Sequence, residues 1–336
     1  MAVLITGGAG YIGSHTCLPL LDAGIDIVVV DNLSNSKVET IDKITRLSGR
    51  EFPFYELDVR NSAGLDEVFS NHKIDAVIHF AGLKAVGESV EKPSEYYDNN
   101  VGGSVKLLLS MKKAGVRRIV FSSSATVYGE PDILPIKEAS PIDAAKLTNP
   151  YGRSKAMVEQ IISDICESDD RMSACLLRYF NPVGAHESGL LGEDPNGIPN
   201  NLMPRLLNAA SGEWRSITVY GGDYPTRDGT GIRDYIHVCD LAEGHMNALN
   251  WVEGNTGCHA FNLGTGKGYS VYELIAAMEK ASGKSIACEA APRRAGDVAE
   301  IYSDPSKAKE LLKWEAKLGL GRMCEDSWRW IQSNVK

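Results

Sequence analysis

Tyr151 and Lys155 stand four residues apart in the run Tyr151-Gly-Arg-Ser-Lys155, directly after Asn149-Pro150. Proline is favoured at the first position of a helix, so the run reads as a helix start, and an i, i+4 pair shares one helix face. A phenol and an ammonium on one face suggest proton transfer. A fixed cation stabilises phenolate, so Tyr151 is expected to titrate below the ordinary tyrosine value of about 10 and to act as a general base. Lys155 can also hydrogen-bond a ribose. Upstream, Ser122-Ser123-Ser124 ends a strand-like run, and in an open α/β sheet ligands sit beyond the carboxyl ends of the strands.

A second constellation lies at the N-terminus. Gly7-Gly8-Ala9-Gly10-Tyr11-Ile12-Gly13 follows an apolar strand and opens a helix. Glycines at 7, 10 and 13 lack Cβ atoms, so the turn can tighten and the backbone can approach a pyrophosphate at the helix N-terminus. Asp31 ends the next strand, 18 positions after Gly13. Its carboxylate can accept both hydroxyls of an adenosine ribose and would repel a 2′-phosphate, which favours NAD over NADP. Either motif alone fits an ordinary turn or helix. Together they point to dinucleotide-dependent chemistry.

These residues need a scaffold. Apolar runs at 3–6, 26–31, 54–57, 76–80, 118–122 and 174–179 read as parallel strands buried on both faces. Helical patterns at 14–23, 63–71, 96–114 and 151–168 alternate with them. The fold class expected is α/β, a doubly wound parallel (Rossmann) sheet with a second, smaller α/β substrate domain. Pro19 should kink the first helix or leave a carbonyl to water. From 181 to 234 prolines and glycines favour loops, after which 238–251 and 270–282 look helical and 260–263 strand-like. The expected division is 1–180 for NAD and 181–336 for substrate, with some later elements returning to the first domain.

The chain has 336 residues, 35 Lys+Arg against 44 Asp+Glu, and a net charge of −9. Such a surface repels nucleic acid and anionic lipid. Seven cysteines occur singly with no C-x-x-C pair, so no metal site and no disulfide framework is expected. No stretch approaches the roughly 20 apolar residues of a membrane span, and the first residues show no basic region ahead of a long apolar stretch, so no leader is expected. A cytoplasmic protein is expected.

Finer motifs extend along the chain: His79-Phe-Ala-Gly-Leu-Lys84, Tyr96-Tyr-Asp-Asn99, Ser122-Ser-Ser-Ala-Thr-Val-Tyr-Gly129, Leu177-Arg-Tyr-Phe-Asn-Pro-Val-Gly184, Pro199-Asn-Asn-Leu202, Asp228-Gly-Thr-Gly-Ile-Arg-Asp-Tyr-Ile-His237 and Pro292-Arg-Arg294. With the glycine loop, Asp31 and the Tyr151/Lys155 pair, the chain resembles the extended short-chain dehydrogenase/reductase family, and within it the UDP-hexose 4-epimerases. The resemblance implies interconversion of UDP-glucose and UDP-galactose with tightly bound NAD that is not consumed. C4 of a hexose has no neighbouring carbonyl to acidify its proton, so transient oxidation, rotation of the 4-keto sugar and re-reduction replace proton abstraction.

The resemblance also implies roles. Ser124, Tyr151 and Lys155 would be catalytic, with Ser124 bonding the reacting oxygen. Tyr11 and Ile12 would line the pyrophosphate, and Asp31, Asn32, Leu33, Ser34, Asn35 and Ser36 the adenosine ribose. Asp58 and Val59 would meet the adenine, Phe80, Ala81, Lys84 and Asn99 the rest of the cofactor, and Phe180 the nicotinamide. Asn181, Asn201 and Leu202 would contact the nucleotide sugar, Tyr220 the uracil, Arg233 and Arg294 the diphosphate, and Asp297 the uridine ribose. Guanidinium groups suit phosphate geometrically. Counting from Gly296-Asp297 puts Ile301 at the position that gates the sugar's 2-substituent. Its intermediate volume implies some action on UDP-GlcNAc and UDP-GalNAc. A homodimer built on the helices at 96–114 and 151–168 is also implied. A nucleotide-sugar 4,6-dehydratase is the alternative. It needs an acid and a base beside the serine, where this chain has Ala125-Thr126.

Overall fold

The computed structural model describes residues 1–197, 199, 201–294 and 297–334. Asn200 and Gly296, from two of the motifs above, lie outside the described residues. Strands β1 (Ala2–Thr6), β2 (Asp26–Asp31), β3 (Phe54–Glu56), β4 (Ala76–His79), β5 (Arg118–Ser124) and β6 (Ser173–Tyr179) fall where the apolar runs predict them. β7 (Asn181–Val183), β8 (Ile217–Tyr220), β9 (Ile232–His237), β10 (Gly257–Leu263), β11 (Gly268–Ser270), β12 (Cys288–Ala291) and β13 (Glu300–Ile301) follow. The main sheet has the order β3-β2-β1-β4-β5-β6-β10, and every pairing is parallel. Strand order reverses between β1 and β4, which opens a crevice at their carboxyl ends.

Both faces of the sheet are covered, which explains the unbroken apolar runs. Helices α1 (Tyr11–Asp22), α2 (Glu39–Ser48) and, from later in the chain, α9 (Val238–Gly254) pack Leu20, Ile44 and Leu249 against Val3, Ile5 and Val120. On the other face α3 (Ser62–Asn71), α6 (Gly103–Ala114) and α7 (Pro150–Ser168) bring Leu65, Leu107 and Ile162 onto Leu4, Ile119 and Phe121. Each such fully buried side chain stabilises the fold by about 1.5–3 kcal/mol before entropy is counted.

Past β6, the chain builds a small mixed sheet from β7, β9, β11 and β13, and a two-stranded ladder from β8 and β12. Helices α8 (Leu202–Ser211), α10 (Val271–Ser282) and α11 (Leu320–Asn334) close a separate core there around Leu206, Leu274 and Met323. Both β10 and α9 leave this region and complete the main sheet.

Two local expectations change, and that for Pro19 narrows to its second arm. The helix expected over 96–114 is interrupted: α4 (Val86–Glu91) and α5 (Pro93–Tyr96) lead into a π-turn at Tyr97–Gly102, and only then does α6 begin. The widened turn aims Asn100 inward, where its amide bonds Leu83 N at 2.8 Å, Leu83 O at 3.0 Å and Ser154 Oγ at 2.9 Å. Pro19 lies in the last turn of α1, so only the His15 carbonyl loses a helical donor and the helix runs on to Asp22. The segment 181–234 is more ordered than its prolines suggest, because Pro204 sits in the first turn of α8, where no helical N–H is needed.

Candidate active site

Asn149 caps α7 through a 2.8 Å bond from Gly152 N, and Pro150 takes the first helical position. This start aims Tyr151 and Lys155 at the carboxyl end of β5. The Lys155 ammonium is 5% exposed, donates to the Ser122 carbonyl at 2.7 Å and lies 4.8 Å from the Phe121 ring centre. Burial pulls its pKa down to about 8, opposed by the Glu159 carboxylate. Burial likewise pushes the Tyr151 phenol above its ordinary value, with hydrogen bonding to Ser124 working the other way. This corrects the expectation of a phenol already lowered by Lys155: the ammonium is tied to β5, and desolvation of the phenol outweighs its hydrogen bond. The Ser124 oxygen accepts from Thr126 N at 3.2 Å, which leaves its own proton free to donate.

A cavity of about 1080 Å³ opens at the crevice. Its wall brings together Gly7, Gly10, Tyr11, Ile12 and Gly13, then Asp31, Asn32, Ser34, Asn35 and Ser36. Val59, Phe80, Ala81, Lys84, Asn99, Tyr151 and Lys155 complete the predicted set on it. Leu33, Asp58, Ser124 and Phe180 are not on this wall. The Asp58 carboxylate is turned to Arg60 at 2.8 Å and to Asn32 at 2.9 Å, and Phe180 is buried in a cluster with Ala125 and Tyr128. Leu33, with φ +56, is held in the left-handed region by its N–H bond to Asp31.

The residues present fit a dinucleotide. A Cβ on Gly7 would lie 2.7 Å from Ala81 N, and one on Gly13 2.3 Å from Gly7 O, so packing of the protein on itself already requires those two glycines. Gly10 differs. Its φ of −72° suits any residue and its Cβ would meet only Gly7 O, at 3.2 Å, so the bare backbone there faces the cavity. Asp31 holds Ala9 N at 3.0 Å, Leu33 N at 2.9 Å and Ser36 Oγ at 2.8 Å. A carboxylate accepts about four bonds, so it retains capacity for a ribose hydroxyl.

The substrate-side residues form a second group. Asp297 pairs with Arg294 at 2.8 Å and lies 4.0 Å from Arg233. The Arg294 guanidinium covers the Tyr220 ring at 5.0 Å. Ile301 is in register with Arg233 and packs on the cluster containing Ala125 and Phe180. Asn201, the residue before α8, lies on the cavity wall and donates to Glu193 at 3.1 Å, whereas Leu202 packs into the α8 core. Asn181, in β7, is exposed and pairs with Tyr235.

Residues 3–264 match the model of the NAD dependent epimerase/dehydratase family. The chain belongs to this family. Over 335 residues it is 57% identical to a UDP-glucose 4-epimerase of Bacillus subtilis, with 100% of this chain and 98% of that one covered. Over 336 residues it is 55% identical to the UDP-glucose 4-epimerase of Pasteurella multocida, covering 100% and 99%. Among solved structures, UDP-glucose 4-epimerase from Bifidobacterium longum, in complex with NAD+ and UDP, superposes with a TM-score of 0.96 at 51% identity and 99% coverage of both chains.

Several residues of this family member that reach the site escaped sequence reasoning. Glu193 is 8% exposed, lines the cavity and holds Lys84 at 3.0 Å. Its neighbour Asp194 pairs with Lys37, and Asn196 bonds Asn35 at 3.2 Å and Ser34 at 3.1 Å. The segment around Glu193 thus straps the cavity from the second half of the chain. Tyr179 also lines the cavity and donates to the Ser122 hydroxyl. No motif flags the contacts of this strap, because they join residues about 110 to 160 positions apart; Tyr179 and Ser122 lie within motifs, 57 positions apart, but neither motif shows that the two meet. Among the described residues no cluster of His, Cys, Asp and Glu is placed to hold a metal.

Proposed function

We propose that this protein interconverts UDP-glucose and UDP-galactose by transient oxidation at C4 of the hexose, with NAD held tightly and not consumed. The observation that carries this reading is the placement of Tyr151 and Lys155 on the wall of the same cavity as Gly10 and Asp31. Bound there, NAD supplies an acceptor for the C4 hydride and its later donor. Tyr151 accepts the 4-hydroxyl proton and returns it, and Ser124 donates a hydrogen bond to the reacting oxygen. Lys155 keeps a positive charge beneath this centre and offers its remaining donors to a ribose. Arg233 and Arg294 hold the diphosphate, so the 4-keto sugar turns over while still tethered. Residues 1–180 serve mainly the cofactor and 181–336 mainly the sugar nucleotide.

A dehydratase is disfavoured because the position after Ser124 is a buried alanine, which can supply neither acid nor base. Ile301 beside Ala125 and Phe180 supports a gate of intermediate size, hence some turnover of UDP-GlcNAc and UDP-GalNAc. Leu109 on α6 and Met157 on α7 are exposed by 61% and 46%, which supports a homodimer joined through these helices. Sedimentation of Leu109→Glu against the parent tests it. All seven thiols are free, and among the described residues no helix is long and apolar enough to cross a membrane. Both suit the cytoplasm. The decisive assay is conversion of UDP-galactose without added NAD, with UDP-GalNAc tested alongside.

A further inference from the structure

Tyr151, Lys155 and Glu159 recur at every fourth position of α7, but only the first two reach the cavity. Glu159 is 4% exposed. Its carboxylate accepts from Arg178 Nη2 at 2.6 Å and Nε at 3.0 Å, and from the Ser123 hydroxyl. Ser123 on β5 and Arg178 on β6 lie opposite each other in register, each one residue before a residue of the site, Ser124 and Tyr179. One carboxylate therefore ties α7 to two adjacent strands beside the chemistry. The far edge of Arg178 is also fixed, by Tyr128 Oη at 3.0 Å and the Glu138 carbonyl at 3.2 Å.

A buried ion pair is a weak stabiliser, since apolar residues of similar volume often do as well or better, and its best-attested use is to fix register. The rest of this α7 face, Val158, Ile162 and Cys166, makes apolar contacts, which are not directional. Directional polar ties are what fix the helix along its axis: Lys155 to the Ser122 carbonyl and Ser154 to Asn100 near its start, and Glu159, which alone of these spans two strands, one turn further on.

We infer that Glu159 is a positioning residue: through Ser123 and Arg178 it sets the height of α7 against β5 and β6, and so places Tyr151 and Lys155 over Ser124 and Ser122. This rests on the epimerase reading of the site. A charge effect accompanies the geometric one, because the Glu159 carboxylate favours the protonated form of Lys155. The other titratable groups around Lys155 are Tyr151 on its own helix, Tyr179 from β6, and His79 from β4, which burial and the Lys155 charge hold neutral with a pKa of about 3. Those around Glu159 are Arg178, Tyr128 and Cys258, with Glu138 beyond Arg178. Glu159→Gln removes the negative charge and leaves Arg178 cationic, so Lys155 must lose its proton at lower pH.

The test uses the NAD-loaded protein, with kcat and KM for UDP-galactose measured from about pH 6 to 10. Wild type is compared with Glu159→Gln and with the apolar pair Glu159→Met/Arg178→Met, and each is melted. In both variants kcat is expected to fall at least about tenfold with KM within about twofold. The double variant should still melt cooperatively, and in Glu159→Gln the alkaline loss of activity should begin at a lower pH than in wild type. A folded double variant with wild-type kcat overturns the inference, and so does an unmoved alkaline limb in Glu159→Gln. Should the double variant not fold, that limb decides alone. Wild type failing to convert UDP-galactose would instead overturn the epimerase reading.

Discussion

The Lys155 ammonium is bonded to the Ser122 carbonyl, 2.7 Å away, while burial keeps the Tyr151 phenol above its ordinary pKa. The pair on one helix face is therefore not a preformed phenolate–ammonium couple. Lys155 is anchored by strand β5, and Tyr151 rests in its protonated form. The proposed oxidation therefore requires this phenol first to lose its proton to water; the phenolate then takes the 4-hydroxyl proton, and the phenol so formed returns it to the 4-keto oxygen.

Tyr151→Phe should lower kcat for UDP-galactose by about 10²–10⁴-fold, the range of a lost general acid–base. Bound NAD should stay with the protein, because the glycine loop and Asp31 are untouched. Turnover assays with cofactor quantified after denaturation check both halves. A variant within about tenfold of the parent would remove Tyr151 from the mechanism.

Ile301 is the point at which sugar specificity is expected to move. Filling it with Ile301→Tyr should cut turnover of UDP-GalNAc at least about tenfold while leaving UDP-galactose within a few-fold, a size of effect typical for steric selection in an apolar pocket. Equal losses on both sugars would place Ile301 elsewhere than beside the 2-substituent.

Much of this was legible in the sequence, for identifiable reasons. β1, β2, β4 and β6 are continuous apolar runs because both sheet faces are covered, and that pattern needs no tertiary knowledge. The glycines at 7, 10 and 13 and the Tyr151/Lys155 pair are local motifs and land on one cavity. The π-turn at Tyr97–Gly102 was illegible, since it arises from the inward bonds of Asn100 to Leu83 and Ser154. Glu193 was missed because its partner Lys84 is 109 positions away, and Tyr179, although inside a motif, because only the parallel pairing of β5 with β6 brings it to Ser122. Asp58 shows the converse: the resemblance implied a role at the adenine, but its carboxylate is turned to Arg60 and Asn32.

Glu193 makes cofactor retention testable. Its carboxylate holds Lys84 and Asn201 at 3.0 and 3.1 Å, and the segment it anchors crosses the cavity. Lys84 is 43% exposed, so solvent screens the pair and a modest effect is expected. Glu193→Gln should release bound NAD about tenfold faster, read as transfer to an excess of a trapping dehydrogenase, a change of about 1.4 kcal/mol. An unchanged release rate would show that the strap does not retain the cofactor.

Three buried histidines set the acid limit of stability. Burial lowers the pKa of His15 and His79 to about 3 and that of His245 to about 4. In the unfolded chain all three take up a proton near pH 6.5. Their folded values are depressed, so stability is full above about pH 6.5 and falls as the pH drops below it, by about 1.4 kcal/mol per pH unit for each. Urea midpoints at pH 7 and pH 5 should therefore differ clearly. Equal midpoints would mean that these rings are not held neutral.

Oxidation at C4 with return of the same hydride is the central claim, and it is read most directly with UDP-galactose carrying deuterium at C4. The protein is incubated with this substrate without added NAD, and the product is isolated. The expected result is UDP-glucose that keeps its deuterium at C4. Exchange of the label into solvent, or a requirement for stoichiometric NAD, would contradict it.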